Sequence, residues 1–426
     1  MRSKARHATD LNRRAALAIL AGGSAAALAA RSAEAIDEAA ALEARLLKIE
    51  HEPVLNLASF KEPVKIESLE LLKVGTKFLL RSRTKDGVEA VSVPHPNKTD
   101  ECWPILVKNL IPAFVGQDAR DLENLIWEAY RRNDNYKLQG LALWIGVAAI
   151  EINLLELLCK SGQKPIAELF GKRLRDDIPV YYASGKRGNT PEEEVAYLQE
   201  LQSSVGAKAL KFRVGGRMNR NVDSLPGRSE ALIKLARKTF GDNFTLYADS
   251  NSSYDAAEGI RIGKIMQDHG YAFYEEPCEF DDLWSTKKVA DALTMPVAGG
   301  EQEYSMHRWR WMIANRGVDI VQPDLHYGGG LLRATRVARM AAAAKMQVVP
   351  HMSGGGLGYL DVVHFASFTP NIGPFQEFKG NTDVPVSCPT SSLKVENGSV
   401  RCPTGVGYGV EIDPAYVRKG EVVKVA

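Results

Sequence analysis

The sequence has 426 residues, 45% apolar and 25% charged, an ordinary globular composition. That length exceeds one typical domain and accommodates a full (β/α) barrel with a smaller partner. A formal charge of +2 leaves no basic surplus that would point to nucleic acid or an anionic membrane as partner.

Residues 1–35 read as an export signal. Arg2, Lys4, Arg6 and the pair Arg13-Arg14 form a basic head, Ala15 to Ala30 an apolar Gly/Ala-rich stretch, and Ala33-Glu34-Ala35 a small-x-small cleavage candidate. Adjacent arginines before a weakly hydrophobic core have the form of a twin-arginine signal, which leads to the periplasm; a disordered basic tail is the alternative. The segment carries six Lys/Arg and two Asp/Glu, so its removal takes the charge from +2 to −2. Its apolar part is short for a spanning helix, and no other segment is read as long enough. The exported chain is therefore expected to bind neither membrane nor nucleic acid.

Residues 36–178 are expected to form a lead-in and an α+β capping domain. A helical then irregular stretch over 36–61 precedes an antiparallel meander: Val64 to Leu72, a turn at Lys73–Lys77, a return from Phe78, a second turn at Asp86-Gly87, then Val88 to Val93. Helical patterns over 103–115, 119–131 and 141–161 follow. From Ile178 strand and helix alternate, so 179–386 is expected to be a (β/α) TIM-type barrel of eight strands. Residues 387–426, with the Asn397-Gly398 hairpin signal, are expected to return to the capping domain. A two-residue turn there sets Cys402 opposite Leu393 and Cys388 opposite Gly407, so those two cannot bridge and all five cysteines are expected to be free.

The chemistry is carried by the residues that close the barrel strands. Asp249 ends Thr245–Asp249, Glu275 ends Tyr271–Glu275 and Glu301 ends Pro296–Glu301, at two intervals of 26 residues. One strand, one helix and two loops fill such an interval, so the three acids fall at the same end of successive parallel strands. Three converging carboxylates suit Mg²⁺, a hard cation that retains open positions for water and substrate. Asp324, His351 and Glu377 continue the series at 23, 27 and 26 residues. A carboxylate one strand before an imidazole fixes its tautomer and raises its basicity, which makes His351 the candidate base and Asp324 its support. His326 competes, but nothing in the sequence places an acid behind it. Lys211 and Arg213 share one face of their strand. The same alternation turns Glu276 away from Glu275 and out of the ligand set.

With Lys211-Phe-Arg213, Asp249-Ser-Asn251, Glu275-Glu-Pro277, Gly300-Glu301, Asp324, His351 and Glu377 in this order, the chain resembles the enolase superfamily, in its mandelate racemase/muconate lactonizing enzyme-like branch. The helix Gly146–Glu156 and Lys164–Gly171 match that family's domain junction. The resemblance implies a capping domain over a modified barrel, Mg²⁺ on Asp249, Glu275 and Glu301, and removal of the proton α to a carboxylate. Many relatives carry Lys where Arg213 stands, and there the second Lys is a base. An arginine stays protonated, so Arg213 is either an electrostatic clamp or an ion-pair partner of a ligand acid. Glu377 would be a protonated donor to the substrate carboxylate, or else a partner of Lys379. One evident base favours one-sided chemistry: β-elimination of water from an acid sugar, a hydroxy-carboxylate. The alternatives are a racemase, epimerase or cycloisomerase with Lys211 as second base, and a catalytically silent carboxylate-binding protein. Specificity is expected to lie in the polar loop Pro94–Trp103, and a homo-oligomer is expected.

Overall fold

The computed structural model describes residues 25–380 and 383–425. The basic head and most of the apolar stretch of the export segment lie outside that range. Its last residues open a helix, Ala25–His51, which packs on the outer barrel helices Met306–Ala314 and Leu331–Ala343. Arg310 ties this helix down through Glu50 at 2.7 Å.

The capping sheet is an antiparallel meander of β1 (Ile66–Val74), β2 (Lys77–Thr84) and β3 (Glu89–Ser92). The first hairpin pairs Val74 with Lys77, and Gly75 takes the positive φ (+61°) that so tight a turn requires. The last strand of the chain, Glu421–Val422, adds to the outer edge of β1. The tail is not confined to the cap, however. Its hairpin Val395–Arg401 turns at Asn397-Gly398 and pairs antiparallel with the first barrel strand. All five cysteines are free.

Eight parallel strands make the barrel: β4 (Asp177–Ala183), β5 (Ala209–Arg213), β6 (Thr245–Asp249), β7 (Phe273–Glu275), β8 (Val297–Gly299), β9 (Ile320–Val321), β10 (Gln347–Val348) and β11 (Gln376–Glu377). Each pairs with the next as far as β10. A bridge from Val348 to Ile372 carries the step toward β11, which pairs back onto β4. Alternation along the strands sorts the interior into layers. Tyr181, Ala209, Tyr247, Phe273, Ala298, Ile320 and Val349 fill the middle as an apolar plug, with the Tyr247 and Phe273 rings stacked at 3.9 Å. Two residues further along the same faces come Lys211, Asp249 and Glu275. Good caps start the outer helices: Thr190 and Glu193 form a capping box, and Asp255, Asp282 and Ser305 each accept from the first turn of their helix.

The helix Leu141–Gly162 is long and apolar enough to cross a membrane, which corrects the expectation that no segment past the signal is. Here it is the buried core helix on which cap, barrel and tail converge. Three buried polar residues on it each fasten a different element. Glu151 accepts from Leu331 N and Leu332 N (2.7 and 3.1 Å) and so caps a barrel helix that has no cap of its own. A Cβ at Gly330 (φ +103°) would lie 1.3 Å from the Glu151 carboxylate, so only glycine fits there. Asn153 donates to Leu80 O and Ser92 Oγ of the capping sheet. Glu156 accepts from Tyr408 N of the tail.

Burial pushes the Glu156 carboxyl up to about 7, against a smaller pull from Lys160 at 3.7 Å. A carboxyl whose folded pKa is raised contributes stability in full below about 4.5 and loses it as pH rises through about 7. Glu156→Gln should therefore gain stability relative to the parent chain by about 3 kcal/mol between pH 4.5 and 8. Urea midpoints at the two pH values check this; an unchanged difference between the proteins would contradict it.

Candidate active site and cation centre

Backbone register sets the first row of the site. Arg213, Asp249 and Glu275 are direct Cα partners across β5, β6 and β7, so their side chains leave the barrel mouth side by side. Glu301 reaches the same place by another route. Its strand ends at Gly299, and Gly300 at φ +112° turns the chain inward. A side chain at Gly300 would meet Trp309 at 2.2 Å. One oxygen from each of Asp249, Glu275 and Glu301 lies within 4.8 Å of the others.

Each carboxylate is held. Asp249 accepts from Asn251 N (2.7 Å) and Asn251 Nδ2 (3.1 Å) and is in contact with the Arg213 guanidinium. Both oxygens of Glu275 accept from Lys211 Nζ (2.6 and 2.7 Å), and one also accepts from Gln322 Nε2 at 3.0 Å. Burial raises the affinity of Glu275 for a proton, but Lys211 reverses this and holds its pKa below the usual range. Burial would likewise strip the proton from Lys211, and Glu275 and Glu377 keep it on.

His351 and Asp324 sit opposite, joined by a parallel bridge of their backbones. His351 Nδ1 stands 2.7 Å from Asp324 Oδ2. Asp324 also accepts from His326 N, Tyr327 N and Ser353 N (2.7, 2.6 and 3.0 Å), so its orientation is fixed on every side. The Asp324 contact places a proton on Nδ1 and leaves Nε2 facing the acids, 3.3 Å from Glu301 Oε2 and 3.8 Å from Glu377 Oε2. Burial lowers the His351 pKa, but Glu301, Asp324 and Glu377 together carry it up to about 9.

The structure selects between the alternatives left open for Arg213 and Glu377, and departs from the expectations for Glu276 and His326. Arg213 lies against Asp249, which is the ion-pair alternative. Glu377 takes the Lys379 alternative: against burial, Lys211, Lys379 and His351 hold its pKa well below the usual range. It pairs with Lys379 at 2.7 Å and with Lys211 at 3.3 Å, so it does not offer a donor proton. Glu276 does not turn away. Its φ of +44° breaks the alternation and brings it to Asn251 Nδ2 at 3.3 Å. Burial, Glu301 and Glu275 raise its pKa to about 8. His326 does have an acid behind it, Asp361 at 2.8 Å.

A cavity of about 550 Å³ lies over the row, within the range of small-molecule sites. Arg187, Arg213, Arg217, Asn251, Glu301, His351 and Lys379 form its floor and walls, and Lys98, Cys102, Leu141 and Ile145 of the cap form its roof. His95 docks the cap loop. Its Nδ1 accepts from Asn97 N and Lys98 N, its Nε2 meets Ser353 Oγ at 2.6 Å, and its ring stacks on Tyr327 at 5.3 Å.

Residues 193–416 match the enolase C-terminal domain-like family. A crystal structure of a candidate racemase from Roseobacter denitrificans is 33% identical and superposes with a TM-score of 0.78 over 84% of this chain and 99% of that one. The chain belongs to the enolase superfamily. A magnesium complex of a mandelate racemase/muconate lactonizing protein from Paracoccus denitrificans, 24% identical, shares the fold over 85% of this chain and 99% of that one, with a TM-score of 0.76. The arabinonate dehydratase of Saccharolobus solfataricus is 26% identical over 74% of this chain and 82% of its own length. The D-galactarolactone cycloisomerase of Agrobacterium fabrum is 27% identical over 70% and 80%.

The superfamily implies a divalent cation, and the residues fit one. The donors are three hard oxygens on three strands, and Glu301 Oε2 is buried with no hydrogen bond of its own. Oxygens sharing one Mg²⁺ at about 2.1 Å are roughly 3–4 Å apart, so small side-chain rotations close the cluster. Added Mg²⁺ should raise the melting temperature, by about 2.7 kcal/mol of stability at a hundredfold excess over Kd. Asp249→Asn and Glu275→Gln should each lose that response. A melting curve indifferent to Mg²⁺ in the parent chain would remove the centre.

Proposed function

We propose that the protein is a Mg²⁺-dependent acid-sugar dehydratase. The observation that carries this reading is the imidazole of His351, whose Nε2 faces a three-carboxylate cluster 3.3 Å from Glu301, with Asp324 behind it. Dehydratases among the relatives agree with it. When bound to Asp249, Glu275 and Glu301, the cation would supply Lewis-acid stabilisation for the second negative charge that develops on the substrate carboxylate.

The chain's own residues do the rest. Asp324 keeps the Nδ1–H tautomer, so His351 Nε2 is the atom that takes the α-proton. The electron pair left behind forms the enediolate. As this collapses, the β-hydroxyl leaves, His351 returns its proton to that oxygen, and water and an enol result. The enol tautomerises to a 2-keto acid. Lys211 and Arg213, both cationic and buried beside the acids, stabilise negative charge at the same point and offer no free base on the opposite face. That arrangement favours elimination over racemisation or epimerisation with Lys211 as second base. The basic head and apolar stretch of residues 1–35 support a periplasmic location for the mature enzyme.

Incubation with a library of aldonic and aldaric acids and Mg²⁺ should yield a 2-keto acid, detected as its semicarbazone. EDTA should abolish the product and Mg²⁺ restore it. His351→Asn should lower kcat by about 10²–10⁴-fold. α-Deuterium exchange in D₂O without keto acid would overturn elimination in favour of epimerisation. Free imidazole is the active form, so kcat/KM should fall as pH drops through the His351 pKa. Asp324→Asn removes an interaction that raises that pKa, so the acid limb should move to lower pH; an unmoved limb would assign it to another group.

A further inference from the structure

Five cationic side chains line the cavity: Lys98, Arg187, Arg213, Arg217 and Lys379. Three of them are matched to acids: Lys98 to Glu101 (2.9 Å), Arg213 to Asp249, and Lys379 to Glu377 (2.7 Å). Arg187 and Arg217 have no carboxylate within ion-pairing distance among the described residues. Arg187 donates only to the neutral amide oxygen of Asn251, and its Nε is buried with no partner. Its charged neighbours, after burial itself, are Arg213, Arg217 and Arg228, which agree in disfavouring its charge. Gathering like-charged guanidiniums around a cavity costs free energy unless an anion enters.

Arg217 is held there deliberately by the backbone. It has φ +59°, a region that a long side chain rarely adopts, and Met218 follows at +56°. The loop is fastened to the one after β6: Arg217 N donates to Ser253 Oγ (2.8 Å), Met218 N to Asn251 O (3.1 Å) and Asn221 N to Ser253 O (2.8 Å). Strain retained by such fastening is characteristic of a ligand clamp. Arg187 and Arg217 follow β4 and β5, which lie two and three strands round the barrel from β10, the strand before His351.

We propose that Arg187 and Arg217 form a subsite for a second anionic group, at the end of the substrate remote from the reacting carboxylate. The inference rests on the acid-sugar reading above and narrows it to dianionic substrates. A terminal carboxylate and a terminal phosphate ester share the chemistry that a guanidinium pair recognises. In this site the reacting carboxylate would meet the cation centre with its α-carbon at His351, and the second anion would neutralise the two unmatched arginines.

The test uses the full chain with Mg²⁺ and matched six-carbon acids of each configuration: the aldonic acid, the aldaric acid and the 6-phosphoaldonic acid. Keto-acid formation gives kcat/KM, and calorimetric titration gives Kd. The expected result is at least a tenfold preference for one of the dianions over the aldonic acid, with the preferred dianion assigning the group as carboxylate or phosphate. In Arg187→Met and, separately, in Arg217→Ala, the ratio of dianion to monoanion kcat/KM should fall at least tenfold. Arg217 is exposed, so its variant remains informative should Arg187→Met fail to fold. Turnover with the aldonic acid preferred, or a ratio unmoved in both variants, overturns the subsite while leaving the dehydratase intact. A chain that neither binds nor turns over any acid of the panel overturns the dehydratase reading, and the subsite with it.

Discussion

Like-charge crowding at one end of the barrel is the constraint on which the rest of the structure depends. Asp249, Glu275, Glu276, Glu301, Asp324 and Glu377 are all buried within one cluster, where uncompensated carboxylates would repel strongly and take up protons. The fold answers with positive charge at close range. Lys211 bridges Glu275 and Glu377, Arg213 lies on Asp249, and Lys379 covers the outer oxygen of Glu377. Asp324 has the His351 imidazole instead, while Glu301 and Glu276 have no Lys or Arg partner among the described residues and each keeps a buried oxygen without a hydrogen bond. The unsatisfied negative potential is thus concentrated where a cation and an imidazole would use it, beside His351 Nε2.

Holding these groups within bonding distance requires rigid support, which comes from two sides. The apolar plug below fixes the strands laterally: Ala209, Tyr247, Phe273 and Val349 pack in that layer two positions before Lys211, Asp249, Glu275 and His351. From above, the helix Leu141–Gly162 forms part of the cavity roof with its first turns and carries Glu151, Asn153 and Glu156 further along. Those residues join barrel, capping sheet and tail, so the roof cannot shift against the floor without breaking buried hydrogen bonds. His95 adds a contact nearer the chemistry. Through Ser353, whose N–H holds Asp324, the cap loop and the dyad share one hydrogen-bonded chain.

The convergence of Asp249, Glu275 and Glu301 and the contact of Asp324 with His351 were legible in the sequence because a (β/α) repeat converts interval into position. Equal spacing places Asp249 and Glu275 on one row, and β9 and β10 bring Asp324 to His351. What was not legible came from local backbone and from distant partners. Alternation predicts that Glu276 points away, but it holds only while φ stays in the extended region, and Glu276 at +44° lies just outside its strand. The acid behind His326 is Asp361, 35 residues later on a helix that no interval links to it. The ionisation of Glu377 depends on how near Lys211 and Lys379 come, which is a distance and not a pattern. The apolar run of Leu141–Gly162 is ambiguous by composition, since a spanning helix and the core helix of a large soluble fold look alike until the partners of Glu151 and Asn153 are seen.

The arginine at position 213 then acquires a physical reason beyond the loss of a second base. A lysine there would present a titratable amine next to Asp249, and its proton would depend on the state of the cluster. A guanidinium keeps its charge throughout any ordinary pH range. Arg213 also donates to Ser184 O through Nε at 3.2 Å, which ties it to the end of β4, so it holds a fixed position as well as a fixed charge. With Lys211 clamped between two carboxylates and Arg213 unable to give up its proton, only His351 is left to move one. A site with one mobile proton and two permanent cations on the far side can carry a proton from carbon to a departing oxygen on a single face. It is poorly built to deliver one to the opposite face.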